Sequence, residues 1–278
     1  MAHEMFQYTA SVLDSAEKSS SVAEALPILR RIGLDDFGLF LASIPNPDYP
    51  NLSKMLPHMA SEEIQREWTG LSGVELLKTS VAFMRLLESI CIRHADLSLF
   101  GKRVLDFGCG YGRLIRLLYY YTDPENIIGV DAWEKSLNFC QESRILASLL
   151  KTESVPTPLS CEVDLAYAFS VLTHTSAEAT RAILRAVRPA LTTGGLFVVT
   201  IRPIEFWQRI NKRTPVPYRE LEHAHRESGF AFIPHPKNPH YGDTSMNAEF
   251  LDGADWEVVG VERSLIDPVQ LVVTLRAR

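Results

Sequence analysis

In VLDFGCGYGRLIRLL an apolar run ends in Asp106. Gly108, Gly110 and Gly112 follow at alternate positions, and a helical pattern then begins. Glycines at such a point let the chain turn tightly and let its backbone approach a ligand closely. The first turn of the following helix would present N–H groups and the positive end of the helix dipole. The spacing is GxGxG. The dinucleotide fingerprint GxGxxG carries its third glycine one residue later, where helix and strand pack beneath a pyrophosphate. An acid at the strand end repels a pyrophosphate and suits a ligand with an ammonium group. The next apolar run, IIGVD, ends in Asp131, 25 residues after Asp106. A carboxylate there can accept hydrogen bonds from both hydroxyls of a ribose. Taken alone, Asp131 would read as a helix cap before Glu134. Ala132 and Trp133 follow it, within reach of a base attached to that ribose.

Two further positions could do chemistry. His174, in SVLTHTS, follows an apolar run at 165–170. An imidazole with an ordinary pKa near 6.5 can serve as a general base at neutral pH, or it can order a loop through backbone hydrogen bonds. Arg202 directly follows the run at 196–201 and could orient an acidic substrate or simply be a surface cation. The stretch 202–255 is polar, rich in proline and histidine, and carries His223, His225, His235 and His240. Their spacing fits neither HExxH nor any other metal pattern, so no metal site is expected. A lid is the better reading: a helix at 218–228 with His225 exposed on one side, and HYGDTSMNAEFL returning Tyr241 and Asp243 to its mouth. Arg202, His225 and Tyr241 are thus the expected substrate contacts, since loops between late strands commonly carry them.

These residues need elements to place them. The 278 residues are 46% hydrophobic, enough for one large α/β domain or a domain with an appendage. The formal charge of −6 disfavours a nucleic-acid partner, which requires a basic face. Cysteines 91, 109, 140 and 161 form no CxxC pair and read as free thiols of a reducing compartment. The N-terminus lacks the basic-then-apolar pattern of a signal peptide, and no run is long enough for a membrane span, so the cytoplasm is expected. Nothing specifies an oligomeric state.

Residues 1–100 read as a helical cap region. A helix is expected from Ser61, with Ser as its cap and acids in its first turn. A strong amphipathic helix is expected over 74–94, and a connector broken by Pro45, Pro47 and Pro50 over 44–56. Pro27 argues for a break or late start within 21–32. From 101 to the C-terminus, strands and helices alternate: strands at 103–107, 126–130, 165–170 and 196–201, helices at 112–121, 134–150 and 177–187. This implies parallel βαβ units with right-handed crossovers. Strands at 256–262 and 269–276, joined by a turn at Ile266-Asp267-Pro268, should pair antiparallel.

VLDFGCGYGRLIRLL, IIGVDAWEKSLNFC, DLAYAFSVLTHTS and VRPALTTGGLFVVT, in that order, resemble the ordered sequence segments of class I S-adenosylmethionine-dependent methyltransferases. The resemblance spans 103–200. It implies a Rossmann-like sheet with helices on both faces, an antiparallel last strand, and the lid inserted after the fifth strand. It implies S-adenosylmethionine as cofactor and S-adenosylhomocysteine as product. Asp106, Phe107, Gly108, Cys109, Gly110 and Gly112 would hold the methionine end. Asp131 would hold the ribose, Ala132 and Trp133 would lie near adenine, and Thr152 and Glu153 would pass its edge. Phe169 and Ser170 would sit beside the reactive methyl, with His174 as the catalytic residue. The third strand, which should precede Thr152, is not recognisable. No Asn-Pro-Pro-Tyr or Asp-Pro-Pro-Tyr follows the fourth strand, which argues against a DNA adenine methyltransferase. FGLFLASIPNPDYPNLSKMLP and EIQREWTGLSGVELLKTSVAFMRLL also resemble the N-terminal part of a bacterial subgroup linked to glycan pathways. That likeness implies that Trp68 and Gly70 approach the cofactor; Trp68 packing the cap is the other reading. The implied acceptor is a hydroxyl of a small molecule or sugar. A small-molecule amine and a non-catalytic, cofactor-binding regulator are the alternatives.

Overall fold

The computed structural model describes residues 2–96, 98–210, 214–236, 238–264 and 267–278, with side chains from residue 7 onward. In chain order the elements begin with helices α1 (Ala2–Ala16), α2 (Val22–Leu29), α3 (Leu34–Ala42), α4 (Pro50–Met55), α5 (Glu62–Thr69) and α6 (Gly73–Ala95). Next come β1 (Val104–Phe107), α7 (Arg113–Leu118), β2 (Ile127–Asp131), α8 (Glu134–Glu142), β3 (Ser148–Lys151), β4 (Val163–Ala168), α9 (Ala177–Val187) and β5 (Leu191–Ile201). The chain ends with α10 (Phe206–Ile210), α11 (Tyr218–Ser228), β6 (Phe230–His235), β7 (Asn238–Met246), β8 (Trp256–Arg263) and β9 (Leu271–Ala277). Seven strands follow the order β3-β2-β1-β4-β5-β9-β8, and β6 and β7 form a separate pair. β2 and β3 run parallel, as do β1, β4 and β5. β9 is antiparallel to both β5 and β8, as the closing strands were expected to be. Of the turn expected between them, Ile266 lies outside the described residues. No helix among the described residues is long and apolar enough to cross a membrane.

The contacts divide the chain into two compact units. The first comprises residues up to Ser89 with 98–102 and 109–151. Its helices pack through small residues and buried leucines. A Cβ on Gly38 would lie 2.9 Å from a methyl of Leu77 and 3.2 Å from one of Leu117, so a side chain here would make those leucines shift where α3 meets α6 and α7. Arg30 closes the end of α7: Nε donates to the Tyr119 carbonyl at 2.8 Å, and Nη2 to the Thr122 carbonyl and Asp123, both at 2.7 Å. Carbonyls left over at a helix C-terminus are thus satisfied by a cation that also suits the dipole.

The second unit comprises Ile90–Leu97, Arg103–Gly108 and Thr152–Arg278. Leu105, Ala166, Phe197, Val198, Val199, Val273 and Leu275 are fully buried there. Parallel strands covered on both faces need such unbroken apolar runs, which is why these segments read clearly in the sequence. The lid is a folded piece with its own core, in which Trp207, Phe206, Leu221 and Ala231 pack together.

Several elements differ from expectation for identifiable reasons. The helix expected over 134–150 stops at Glu142, and 148–151 forms β3. Arg144 adopts a left-handed φ of 57°, Arg144 N–H bonds to the Gln141 carbonyl and Ile145 N–H to the Cys140 carbonyl. That is a Schellman ending with arginine where glycine is usual, so no breaker marks it. Pro50, expected to interrupt, starts α4 from its first position, where a missing N–H costs nothing. Pro27 lies inside α2, which is only eight residues long and is capped by Ser21. The lid contains the hairpin β6–β7, which its non-alternating sequence does not announce.

The Ser176 hydroxyl caps α9, accepting from Ala179 N–H at 3.2 Å. We expect Ser176→Ala to lower unfolding free energy by about 1 kcal/mol. Urea denaturation would show it as a lower midpoint at unchanged slope.

Candidate functional site

In the first unit the site is organised around Asp131, the last residue of β2. One carboxylate oxygen accepts from Gly110 N–H at 2.9 Å, the other from Trp133 N–H at 2.8 Å. Burial raises the Asp131 pKa, and hydrogen bonds from Trp133, Gly110, Ser136 and Ala132 oppose that rise. The residue capping α8 is Trp133, without a side-chain bond. The Asp131 carboxylate therefore joins two turns instead of capping the helix. A carboxylate offers about four lone-pair sites, and the hydrogen bonds from Trp133, Gly110, Ser136 and Ala132 already draw on them.

Three glycines shape the loop. Gly110 and Gly112 have φ of 56° and 75°, and Gly108, in the second unit, has 80°. A Cβ on Gly112 would meet Ile145 at 2.7 Å, and one on Gly108 would meet Val171 at 2.3 Å. At Gly110 the nearest atoms belong to the Trp68 ring, at 4.0 Å. Cys109 is buried, its N–H bonded to the Val130 carbonyl, and the Cys140 thiol donates to the Gly110 carbonyl at 3.2 Å. Beneath the loop lies an arginine that the sequence reading missed. Arg116 is 1% exposed, and its Nη1 donates to the carbonyls of Tyr111 and Gly112, both at 3.1 Å. Burial pushes its pKa down to about 10, so it stays charged at neutral pH. Its only signal was a cation inside the apolar run RLIRLL.

Aromatic rings cover this region. Trp68 meets Tyr111, Trp133 and Phe139 edge-on, with centroids 5.8, 6.0 and 5.5 Å apart. Lys135 Nζ lies 5.7 Å from the Trp68 ring centre. Trp133 itself is 48% exposed beside the half-buried Asp131 and Ala132. Gly70 stands apart from this cluster: it is exposed and ends α5 in the left-handed region, with its N–H on the Arg66 carbonyl. Its evident task is to close a helix.

In the second unit, Asp106 is buried on β1 and pairs in register with Tyr167 of β4. Phe169 and Ser170 follow β4 and are half-buried. Ser170 has a φ of 61°, and its N–H bonds to the Thr200 hydroxyl at 2.7 Å. Next comes a polar cluster. His174 Nδ1 lies 2.7 Å from the Gly242 carbonyl and Nε2 lies 3.0 Å from Arg202 Nη2. A carbonyl only accepts and a guanidinium only donates, so the ring is the neutral Nδ1–H tautomer. Burial, then the Arg202 charge, push its pKa down to about 4. Arg202 Nη1 also donates to the Thr173 carbonyl at 2.8 Å and Asp243 at 2.9 Å, and the guanidinium lies 4.1 Å from the Phe206 ring centre. Tyr241 stacks on His174 at 5.3 Å. The structure thus gathers His174, Arg202, Tyr241 and Asp243, as the sequence suggested, but with both imidazole nitrogens engaged.

His225 is a correction. Expected on an exposed side of its helix, it is 3% exposed. Its Nδ1 pairs with the Ser245 hydroxyl and its Nε2 with Asn247, both at 2.7 Å, while Trp207 donates to the same hydroxyl at 2.6 Å. It braces the interior of the lid because α11 turns this face toward the hairpin.

Residues 104–195 match the model of a methyltransferase domain. This chain carries a methyltransferase domain. No curated protein is similar to it in sequence at a significant level. Among solved structures it is similar to an S-adenosylmethionine-dependent methyltransferase from Clostridium acetobutylicum ATCC 824. That match has a TM-score of 0.52 and 12% identity, over 72% of this chain and 91% of that one. The PH0226 protein from Pyrococcus horikoshii OT3 gives a TM-score of 0.51 and 15% identity, over 71% and 90%. The glycopeptide N-methyltransferase MtfA, complexed with sinefungin, gives 0.50 and 12%, over 72% and 94%. At these identities the likeness is one of fold, the class I methyltransferase arrangement of the sheet.

The methyltransferase domain should carry the mark of His174 in its acid stability. The ring titrates near 6.5 when unfolded and near 4 when folded. Between about pH 6.5 and about pH 4 the unfolded chain binds the extra proton, so stability falls on acidification and levels off below that window. We expect His174→Gln to flatten this part of the curve in urea titrations from pH 4 to 7.

Proposed function

We propose that this methyltransferase domain binds S-adenosylmethionine through the loop that starts α7 and through Asp131, and transfers its methyl group to a hydroxyl of a small molecule or sugar. The observation that carries the cofactor reading is the anchored carboxylate of Asp131. Its two oxygens are fixed by backbone N–H groups and stand beside an exposed indole. That donor and acceptor set fits a ribose diol with a planar base. Gly110 puts no side chain on its face of the loop, where the Trp68 ring is the nearest group at 4.0 Å, while Gly112 lets the loop pack against Ile145. Asp106 and Gly108 are assigned to the methionine end, and Phe169 and Ser170 to the methyl.

Bound S-adenosylmethionine supplies an electrophilic methyl on a sulfonium. The protein's part is then chiefly proximity and in-line alignment of the acceptor. Arg202 and Tyr241, the latter stacked on His174, are assigned to hold the acceptor. His174 is assigned to orient Arg202, because its Nε2 lone pair already accepts from that guanidinium. The same bond favours a second reading, N-methylation of a small amine. A neutral amine attacks without prior deprotonation, and its proton leaves afterwards, so no free base is needed.

Replacing Asp131 by Ala should weaken S-adenosylmethionine binding by about 1–3 kcal/mol through loss of charge-assisted hydrogen bonds. Calorimetry on the folded variant measures it, and unchanged affinity would remove Asp131 from the ribose site. Hydroxyl-bearing metabolites, sugar nucleotides and small amines, assayed for S-adenosylhomocysteine release, separate the two acceptor classes. Cofactor binding with no turnover on any of them would favour a non-catalytic regulator.

A further inference from the structure

Methyl transfer to a hydroxyl leaves a proton to be taken up, and His174 is not placed to take it. Its Nδ1 donates to the Gly242 carbonyl and its Nε2 lone pair is occupied by Arg202. His225 is likewise engaged at both nitrogens inside the lid. A third histidine stands beside the same cluster. His235 ends β6, directly after a register shift between Pro234 and His235. Such an irregularity re-aims a side chain. The ring meets Tyr241 edge-on at 5.4 Å, and Tyr241 is the ring that stacks on His174. Its Nε2 lies 3.4 Å from Asp243 Oδ2, while Asp243 Oδ1 accepts from Arg202 at 2.9 Å. One carboxylate therefore joins an imidazole to the arginine assigned to the acceptor.

A carboxylate only accepts, so Nε2 carries the proton of the neutral ring and Nδ1 carries the lone pair. Nδ1 has no partner among the described residues, and the side chain is 46% exposed. The hairpin itself is tied to the loops that follow β4 and β5. Ser176 N–H bonds to the His240 carbonyl at 3.1 Å, the Thr244 hydroxyl to the Thr175 carbonyl at 2.7 Å, and Met246 N–H to the Arg202 carbonyl at 3.0 Å. The strands that carry His235 and Asp243 are thus fixed to the strand ends where the acceptor is assigned. We propose that His235, oriented by Asp243, is the general base for methylation of a hydroxyl. This rests on the hydroxyl reading above. Nδ1 takes the acceptor's O–H proton as the oxygen bonds to the methyl carbon. The carbon–sulfur bond breaks, and its electron pair stays on the sulfur of S-adenosylhomocysteine. The positive charge lost from the sulfonium reappears on the imidazole, where a charge-assisted hydrogen bond to Asp243 stabilises it. The exposed ring then passes the proton to water.

Hydroxyl-bearing metabolites, sugar nucleotides and small amines are the probes, with S-adenosylhomocysteine release as the readout. His235→Gln should lower kcat on hydroxyl acceptors at least about a hundredfold, with S-adenosylmethionine affinity by calorimetry within about twofold of wild type. Turnover of His235→Ala on the same acceptors should rise at least about tenfold on adding free imidazole, while wild type should not respond. Such rescue requires a missing base and is not expected of a missing brace. A wild-type protein that methylates amines alone, or nothing, overturns the hydroxyl reading and this base with it. If wild type methylates a hydroxyl and His235→Gln matches it, or if His235→Ala loses turnover without rescue, the base is overturned and the hydroxyl reading stands.

Discussion

One carboxylate with two backbone partners sets the geometry of the first unit's functional face. Asp131 could have pointed into solvent at the end of β2. Instead it receives the N–H of Gly110 from one side and of Trp133 from the other. That arrangement locks the loop before α7 to the turn before α8. It demands that the chain at 110 and 112 run through left-handed conformations, which explains the glycines better than any general appeal to flexibility. Arg116 completes the arrangement from beneath by taking the carbonyls of Tyr111 and Gly112. With carbonyls drawn to a buried cation and one N–H drawn to a carboxylate, the loop has few ways left to relax.

The lid is governed by the opposite logic. Its His225, and the His174 that bonds to its hairpin, are both fully partnered, His174 between a carbonyl and a guanidinium, His225 between a hydroxyl and an amide oxygen. Each is thereby fixed in one tautomer, and burial lowers both pKa values. One ring expected as a base and one expected as a substrate contact thus serve as rigid connectors. Any chemistry at this end of the second unit depends on what is held in place there, above all Arg202, which His174, the Thr173 carbonyl and Asp243 keep from swinging free.

The legible parts of the chain were those where a local rule and the tertiary structure agree. α9 and α11 have their expected bounds because an amphipathic stripe and a clear boundary residue coincide, Ser176 before one and Gly229 after the other. β1, β4 and β5 were visible as unbroken apolar runs. The third strand was hidden because its residues are largely exposed and because α8 is ended by an arginine in a glycine's conformation. The hairpin of the lid was hidden because β7 is largely polar and because Pro234 and Pro239 stand inside its strands. At the site, the glycines and Asp131 stood out by spacing. Arg116 did not, since a cation in an apolar helix reads as an exposed face until its burial is known. His225 failed for the complementary reason: periodicity assigned it to a face but could not say which face was covered.

β3 has a further consequence. It is the terminal strand of the seven and only four residues long, yet it exposes Leu150. A long apolar edge would invite another chain to add itself, strand against strand. Here the Schellman turn at Arg144 closes one end, and Pro156 and Pro158 follow soon after the other. So brief an edge offers too few hydrogen bonds to template such an addition. The same turn that concealed the strand from a sequence reader also keeps this edge of the sheet short.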